Sequence, residues 1–184
     1  VLNGGGSGCT EVTVVIGSGE VEQEVPIDVG AEFTEIYDIT LNSNALDGDP
    51  KYYVTDAANG QIYALDEDFV PLAVIPSPFE EGIPCTGIAY VPVGDADNGS
   101  LVVGNGQSSG QMHLIEMTLA GGFLRDFFLY VPVPALPTGA KLLPGPLSGG
   151  TGGMDYDPES GNMYITGPDT CDIYGMAHSG SGET

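Results

Sequence analysis

Three short acidic motifs carry the residues best suited to binding a cation, because each places two carboxylates two residues apart near a predicted strand end. They are Asp47 with Asp49, Asp95 with Asp97 and Asn98, and Asp155 with Asp157. Carboxylates at this spacing can hold a hard cation together with backbone carbonyls. The sequence predicts Ca²⁺ ligands in the first two motifs. Ordinary Asx turns are the competing interpretation, because neither motif completes an EF-hand.

Nucleophilic chemistry has one candidate, residues 106–110, which match the G-x-S-x-G pattern of serine hydrolases with Ser108 in the nucleophile position. That motif needs a strand, a sharp turn and a helix in an α/β sheet, whereas this segment falls between two predicted strands. His113 lies in a predicted strand and His178 in the C-terminal tail, so a shared metal site requires the fold to bring them together. We therefore predict a Gly/Ser turn here, and no catalytic residues.

Sugars are the third class of chemistry that the residue types allow. Six tyrosines recur on predicted strands, where aromatic rings stack on sugars or fill strand cores equally well. They are Tyr52, Tyr53, Tyr63, Tyr90, Tyr164 and Tyr174. Asn98 also begins an Asn-Gly-Ser sequon, the acceptor for N-glycosylation, in a predicted surface turn. The sequence therefore leaves open both the binding of a carbohydrate partner and glycosylation of the protein.

Charge decides which partners are excluded. The chain has 26 Asp and Glu against 3 Lys and Arg, a formal net charge of −23. Nucleic-acid binding is excluded because neutralising phosphates needs clustered Lys and Arg. An anionic membrane repels such a chain, and the most apolar stretch, 127–136, contains two prolines and is too short to span a bilayer. The acidic surface predicts an extracellular or cell-surface location, where salt or calcium screens the self-repulsion.

The three cysteines show no spacing typical of zinc or haem sites. Cys9, Cys85 and Cys171 lie far apart in the sequence. One disulfide with a leftover thiol and three free thiols are both compatible with this count.

The elements that must position these residues come from an internal repeat. Three segments share one plan: an apolar strand, a turn rich in Gly, Asp or Asn, a short β-branched and aromatic strand, a second turn and a third strand. Val54, Val103 and Ile165 anchor the second strands, and each precedes an apolar anchor in the third strand by 8 or 9 residues. Outer fourth strands are predicted at 70–75 and 123–129, and the third repeat has none.

These repeats define the predicted organisation. Residues 1–30 are a β arm, a strand or hairpin able to donate a strand to the last blade or to a neighbouring subunit. Residues 31–178 form the repeat domain, interrupted by a Pro/Gly-rich loop at 131–150, and 179–184 are a tail. The predicted fold class is all-β, with propeller-like four-stranded antiparallel repeats, about three blades in an incomplete ring, and an N-terminal β arm.

Two pairs of motifs carry a resemblance to a known family. Residues 87–92 with 99–103, and 153–158 with 161–165, follow the pattern Gly-hydrophobic-x-Tyr-x-Pro, then Gly-x-hydrophobic. This pattern resembles the blades of NHL and gluconolactonase-like β-propellers over residues 33–176. The resemblance implies a propeller fold and, in the lactonase branch, a metal held in the central channel by Glu, Asn and Asp. No motif of this chain matches those ligands.

The predicted function is a secreted or cell-surface structural or interaction module that self-associates through edge strands into an oligomer or filament, and we expect no enzyme. Two alternatives stay open: a fragment of a lactonase-like metal-dependent propeller enzyme, and a carbohydrate-binding module. Self-association predicts large species in solution, whereas the enzyme predicts a bound metal and activity lost to a chelator.

Overall fold

The fold is all-β, as the sequence predicts. The computed structural model of the chain describes residues 2–4, 9–14, 21–27, 34–94, 99–105, 113–128, 153–166 and 173–177, which form fourteen β-strands and no helix. Within these ranges, no helix long and apolar enough to cross a membrane occurs. The strands form four antiparallel sheets, each built from strands that follow one another along the chain. Pairing of sequence neighbours is the arrangement that short hairpin turns permit.

The N-terminal arm is a three-stranded sheet. Its strands are β1 (Leu2–Gly4), β2 (Cys9–Val14) and β3 (Val21–Ile27), paired in the order β1-β2-β3. The hairpin predicted in residues 1–30 is therefore present with one further strand. In the described strands the arm pairs within itself, and neither β1, β2 nor β3 joins the sheet of the last repeat.

Three further sheets correspond to the three predicted repeats, here called blades 1, 2 and 3. Blade 1 consists of β4 (Ile36–Leu41), β5 (Tyr52–Asp56), β6 (Gln61–Leu65) and β7 (Pro71–Pro76). Blade 2 consists of β8 (Cys85–Val91), β9 (Ser100–Asn105), β10 (His113–Thr118) and β11 (Phe123–Phe128). Blade 3 consists of β12 (Met154–Asp157), β13 (Asn162–Thr166) and β14 (Ile173–Ala177). The position of a fourth strand in blade 3, after β14, lies outside the described residues, so its predicted absence stays a prediction.

The pairing register refines the predicted spacing between strands. Val54 pairs with Tyr63 and Val103 with Ile115, so the connection between the second and third strands is longer in blade 2. Ile165 pairs with Tyr174, which repeats the spacing of blade 1. The extra residues of blade 2 fall in the connection between β9 and β10, which lies outside the described residues.

The blades stack face to face, which explains why their strands are apolar on both sides. Alternate residues of a strand point to opposite faces, so Tyr53 packs toward blade 2 while Val54 packs on the other face of blade 1. In blade 2, Val103 faces blade 1 and Val102 faces blade 3. Every residue of β8 and β9 is buried. The core therefore lies between the sheets, as two apolar layers on either side of blade 2.

Candidate functional site

Equivalent positions of blades 1 and 2 can be compared row by row. With Val54 and Val103 placed at the same position, the registers align one row of side chains across each sheet. In blade 1 the row is Thr40, Tyr53, Ala64 and Ala73. In blade 2 the row is Ala89, Val102, Glu116 and Arg125. The two rows differ in every residue, and the difference creates the site described below.

The row of blade 2 closes with an ion pair. Glu116 is fully buried, and its Oε2 accepts a hydrogen bond from Arg125 Nε at 2.6 Å. Ser100 Oγ donates to the other carboxylate oxygen, Oε1. A buried carboxylate is tolerated only when it is paired and hydrogen-bonded. Both conditions are met here.

The row of blade 1 opens onto a cleft. Ala64 and Ala73 stand where blade 2 has Glu116 and Arg125, and their methyl groups leave that space unfilled. The resulting cleft has a volume of about 560 Å³. Its walls come from the loop between β4 and β5, the row of blade 1, and the turn between β10 and β11. The lining residues are Asn42, Asn44, Leu46, Asp49, Pro50, Tyr53, Ala64, Ala73, Val74, Ile75, Leu119 and Ala120.

Tyr53 is the most distinctive residue of the cleft. Its side chain is fully buried, and within the described part of the chain its hydroxyl is the one buried side-chain polar atom without a hydrogen-bond partner. Burial raises the pKa of Tyr53 to about 12, and the nearby Tyr90 phenol and Asp49 carboxylate add to the rise. The phenol therefore stays protonated at physiological pH, and its hydroxyl group is available as a donor.

A short loop between β4 and β5 forms the polar wall of the cleft. Asn42 is buried and holds this loop, because its Nδ2 donates to the Pro50 carbonyl at 3.0 Å and its Oδ1 accepts from Asn44 N at 3.1 Å. Asp49 Oδ2 accepts from Leu46 N at 3.2 Å. These bonds fix the backbone of the loop and leave the Asp49 carboxylate on the exposed side of the cleft.

A second unusual carboxylate, Asp38, lies where the innermost strands of the three blades meet. Asp38 Oδ2 accepts hydrogen bonds from Ile88 N and Met154 N, each at 3.0 Å. Asp38 Oδ1 accepts from Ile39 N at the same distance. The registers place Ile39, Ile88 and Met154 at equivalent blade positions. One carboxylate thus binds three equivalent backbone donors, one from each blade.

The residues before these three donors explain why one carboxylate suffices. Blade 1 has Asp38 there, whereas blades 2 and 3 have Gly87 and Gly153, which carry no side chain. Burial raises the pKa of Asp38 to about 6, against the lowering effect of the three N–H donors, and the neighbouring Asp155 carboxylate adds to the rise. Since both oxygens accept backbone N–H groups, Asp38 joins blades rather than presenting an acid or base to a substrate.

The predicted Ca²⁺ ligands divide into two groups. Asp47 and Asp49 line an acidic depression of about 290 Å³ together with Lys51 and the acidic turn 66–68. Among the described residues, no group of three or more Asp, Glu, His or Cys side chains is arranged to hold a metal. Asp95, Asp97 and Asn98 lie outside the described residues, and so does the sequon at Asn98. The Ca²⁺ assignment stays a prediction.

The third acidic motif has a local role. Asp157 Oδ1 accepts from Glu159 N at 2.9 Å, and its Oδ2 accepts from Ser160 Oγ at 2.6 Å. The hydrogen bond from Ser160 is the main reason that the pKa of Asp157 is lowered. This is the Asx turn that the competing interpretation predicts for such motifs.

The remaining candidates are mostly part of the scaffold. His113 is half-buried at the start of β10, with Nε2 3.2 Å from Asp126 Oδ2. Tyr53, Tyr63 and Tyr90 are buried in the core rather than displayed as platforms for sugars, whereas Tyr164 is exposed. Residues 106–110 and His178 lie outside the described residues.

Cys85 is a free, buried thiol whose Sγ lies 3.2 Å from Ser77 Oγ. Burial raises the pKa of Cys85 to about 11. The thiol therefore stays protonated at neutral pH and belongs to the core between blades 1 and 2.

Sequence reasoning missed both the cleft and the junction at Asp38. The available signal for the junction was the first strand of each repeat, where Asp38 is equivalent to Gly87 and Gly153. Glu116 and Arg125 could have been found as a cross-strand pair, because Arg125 is one of only three cations in the chain. The cleft has no comparable signal, since alanines at positions 64 and 73 are compatible with any well-packed strand.

No protein-family model matches the chain, and no curated protein matches it either. Among solved structures, the chain is similar to a protein of unknown function from Bacteroides caccae, with 14% sequence identity and a TM-score of 0.47. The similarity covers 96% of this chain and 53% of that protein, so the chain spans about half the length of the structure it matches.

Proposed function

We propose that this protein is a non-catalytic interaction module of the extracellular space or cell surface, which self-associates by pairing the outer edge strand of blade 1 with the same strand of a second copy. The observation that carries the proposal is the character of β7. It is an outer edge strand that combines a free backbone donor, exposed apolar side chains and no charge.

The free backbone groups of β7 follow from its pairing with β6. Ser77 N donates to the Gly60 carbonyl at 2.9 Å, so the N–H groups of Ile75 and Ala73 also face β6 by alternation. The N–H group of Val74 then points to the open edge, whereas Leu72 lies at a register shift of the ladder, where the alternation is interrupted. An edge of this kind is a template for pairing with another strand.

The side chains of β7 favour contact with another apolar strand. Leu72 and Val74 are 47% and 46% exposed, although they lie in the middle of a strand. Burying such side chains between two copies contributes roughly 25 cal/mol per Å² of apolar surface. Pro71 and Pro76 bound the strand and limit the pairing to four residues, so we expect a weak interface with affinity in the micromolar range or weaker.

Charge explains why the contact would form at β7. Two copies with a net charge of −23 repel each other, so association is favoured where no carboxylates are brought together. Residues 69–79 contain no charged side chain. The acidic turn 66–68 and the pair Glu80 and Glu81 flank this segment, and their repulsion is screened by salt. The proposed association therefore strengthens as ionic strength rises, which suits a saline exterior.

Antiparallel pairing of β7 with itself is a two-fold arrangement, in which both copies use the same surface. Such a contact closes a dimer. Growth into a filament would require a second contact, for which the outer edge of β14 in blade 3 is a candidate.

The test compares the molar mass of the purified protein with that of Val74→Lys by sedimentation over a range of concentrations, at low and high salt. Lys at position 74 places a charge on the open edge of β7, and its exposed position lets the fold tolerate it. We expect the wild-type protein to dimerise more strongly at high salt, and Val74→Lys to raise the dimer dissociation constant at least tenfold.

The matched control is Val93→Lys, because Val93 is also exposed, at 62%, but lies outside β7. It introduces the same charge change and is expected to leave dimerisation unaffected. A wild-type protein that stays monomeric at the highest concentration and salt contradicts the proposal. Equal strengthening by both substitutions, each of which makes the net charge less negative, would show that net charge, and not the edge of β7, controls association.

A further inference from the structure

The cleft of blade 1 has the size of a small-molecule site. Its volume of about 560 Å³ falls within the range of roughly 300–1,000 Å³ that ligand pockets occupy. Its lining combines an apolar wall, which includes Ala73, Ile75 and Leu119, with a few polar groups from the loop between β4 and β5. Such a combination gives a ligand both apolar contact and a fixed orientation.

The Tyr53 hydroxyl determines what such a ligand must provide. A buried hydroxyl without a partner costs free energy, so native proteins nearly always satisfy it. The hydroxyl is buried and has no partner among the described residues, and Tyr53 lines the cleft, so a molecule held in the cleft is the partner that can satisfy it. With a pKa of about 12 the phenol keeps its proton. The missing partner is therefore a hydrogen-bond acceptor.

Charge narrows the class of ligand further. Asp49 is the one carboxylate of the lining, and none of the described lining residues is Lys or Arg. Lys51 faces the neighbouring acidic depression and is absent from the cleft. An anionic ligand would be repelled by Asp49 and by the net charge of −23. The ligand must accept from Tyr53 and donate to Asp49, and a hydroxyl group does both.

We propose that the cleft between blade 1 and the β10–β11 turn binds a small neutral polyhydroxyl molecule, a sugar or sugar alcohol. In this arrangement Tyr53 donates to a ligand oxygen and Asp49 accepts from a ligand hydroxyl. Asn44 lies on the same wall, but its side-chain amide is engaged with the Pro92 carbonyl and the Tyr90 side chain, so Tyr53 and Asp49 are the polar contacts assigned to the ligand. Aliphatic C–H groups of the ligand contact the apolar wall. This binding does not require the self-association proposed above, although both use β7, which contributes Ala73, Val74 and Ile75 to the cleft.

The row comparison supports a role for the cleft beyond packing. Blade 2 fills the same positions with Glu116 and Arg125 and leaves no polar atom of that row unsatisfied. The blade architecture therefore does not require an open row. In blade 1 the buried Tyr53 hydroxyl has no partner among the described residues and lies beside the cleft. A ligand in the cleft would accept its hydrogen bond.

The experiment titrates the full-length protein calorimetrically with glucose, galactose, mannose and myo-inositol, and with gluconate as the anionic counterpart of glucose. We expect saturable binding of at least one neutral probe and much weaker binding of gluconate. Tyr53→Phe removes only the hydroxyl and should raise the dissociation constant of that probe about tenfold, the effect of losing one hydrogen bond to a buried donor.

Two further variants make the site assignment falsifiable. Tyr63→Phe is the matched control, because Tyr63 is equally buried but donates to Gln61 Oε1 at 2.9 Å on the opposite face of blade 1. It should bind the probe like the wild type and melt at a lower temperature. Tyr53→Phe should melt at the wild-type temperature or above, since it removes an unsatisfied group. Ala73→Arg, which introduces the blade 2 residue, should abolish binding.

Three outcomes would overturn the proposal. The first is no saturable binding of any neutral probe up to the solubility limit. The second is binding that Tyr53→Phe and Ala73→Arg leave unchanged, which would place the sugar elsewhere on the protein. The third is a Tyr53→Phe protein that is less stable and binds like the wild type, which would assign the hydroxyl to an ordered water.

Discussion

Blades 1 and 2 have the same four-stranded topology and corresponding registers, yet the same row of side chains is closed in one and open in the other. In blade 2 the row contains a buried carboxylate paired with an arginine. In blade 1 two alanines take these positions beside Tyr53, whose hydroxyl has no partner in the described part of the chain. The shared topology and registers are what a blade needs in order to fold. The cleft beside Tyr53 is an additional feature of blade 1.

The two rows should respond differently to the loss of their polar side chains. The closed row of blade 2 is sensitive to the loss of either partner, because a lone buried charge is costly. The open row of blade 1 loses nothing when the Tyr53 hydroxyl is removed, because no bond within the protein is broken. Stability measurements on matched positions can therefore test whether the two rows differ as described.

The largest effect is expected for Arg125→Ala. This substitution leaves the Glu116 carboxylate, which is 0% exposed, without its cationic partner. Breaking a buried pair from one side typically costs about 3–5 kcal/mol, and because Arg125 is 29% exposed we expect about 3 kcal/mol. Urea unfolding at neutral pH measures this loss of the free energy of unfolding.

The double variant Glu116→Ala/Arg125→Ala is the control, because it gives blade 2 the alanine pair of blade 1. It removes the charge together with its partner, so we expect it to be more stable than Arg125→Ala alone. A double variant that is less stable than the single one would mean that Glu116 stabilises the sheet without Arg125. The difference between the two rows would then not depend on the ion pair.

The junction at Asp38 gives the next largest effect, and it depends on pH. The pKa of Asp38 is raised from 3.8 to about 6, so the folded state holds this proton more tightly than the unfolded state. The stability that this group contributes is full below the lower value and is lost as pH rises through the higher one. We expect wild-type stability to fall relative to Asp38→Asn by on the order of 2 kcal/mol across this interval.

Chemical denaturation of both proteins at several pH values measures this difference, and the comparison cancels the general repulsion among the other carboxylates. Asp155→Asn provides an internal check, because the Asp155 carboxylate adds to the rise in the Asp38 pKa. In that variant the transition should move to lower pH. A wild-type protein that gains stability over Asp38→Asn as pH rises would show that the backbone donors outweigh burial at this carboxylate.

Much of the fold could be predicted from the sequence, because the blade pattern is local. Alternating apolar residues and small-residue turns predict each hairpin, and Val54, Val103 and Ile165 occupy equivalent positions in the second strands of the three blades. The third-strand spacing predicted for blade 2 was too short, because Val103 pairs with Ile115. The third strand of the N-terminal arm, β1, was missed because a three-residue strand has no periodic pattern to detect.

The candidate site could not be predicted in the same way, because it arises from contacts between blades. Tyr53 has the sequence pattern of any core tyrosine, and only the absence of neighbours at Ala64 and Ala73 leaves its hydroxyl unpaired. The third acidic motif shows how contacts decide what a carboxylate does. Its spacing suits a cation, but Asp157 uses its oxygens within its own turn. Residue spacing along the chain identifies candidate ligand groups. The groups that those residues contact are determined by how the separate sheets pack together.

The smallest effect concerns the turn between the last two strands, which the two blades build alike. Phe69 and Gly121 occupy the same position in this turn, since each donates its N–H to the carbonyl three residues earlier. Both have positive φ, 61° for Phe69 and 92° for Gly121, a conformation that costs an L-residue about 1 kcal/mol. Gly121 avoids this cost and leaves room for Ile75, whose Cγ2 would lie 2.7 Å from an added Cβ.

Phe69 carries the backbone strain and stacks on Tyr52, with ring centroids 4.5 Å apart. Phe69→Ala keeps the strain and loses the stacking, so we expect a loss of about 1.5 kcal/mol. Phe69→Gly also relieves the strain and should cost only about 0.5 kcal/mol. Urea unfolding of the two variants measures the difference. If the glycine variant is as unstable as the alanine variant, the positive φ at Phe69 carries no strain, and blade 1 differs from blade 2 in this turn only by its aromatic contact.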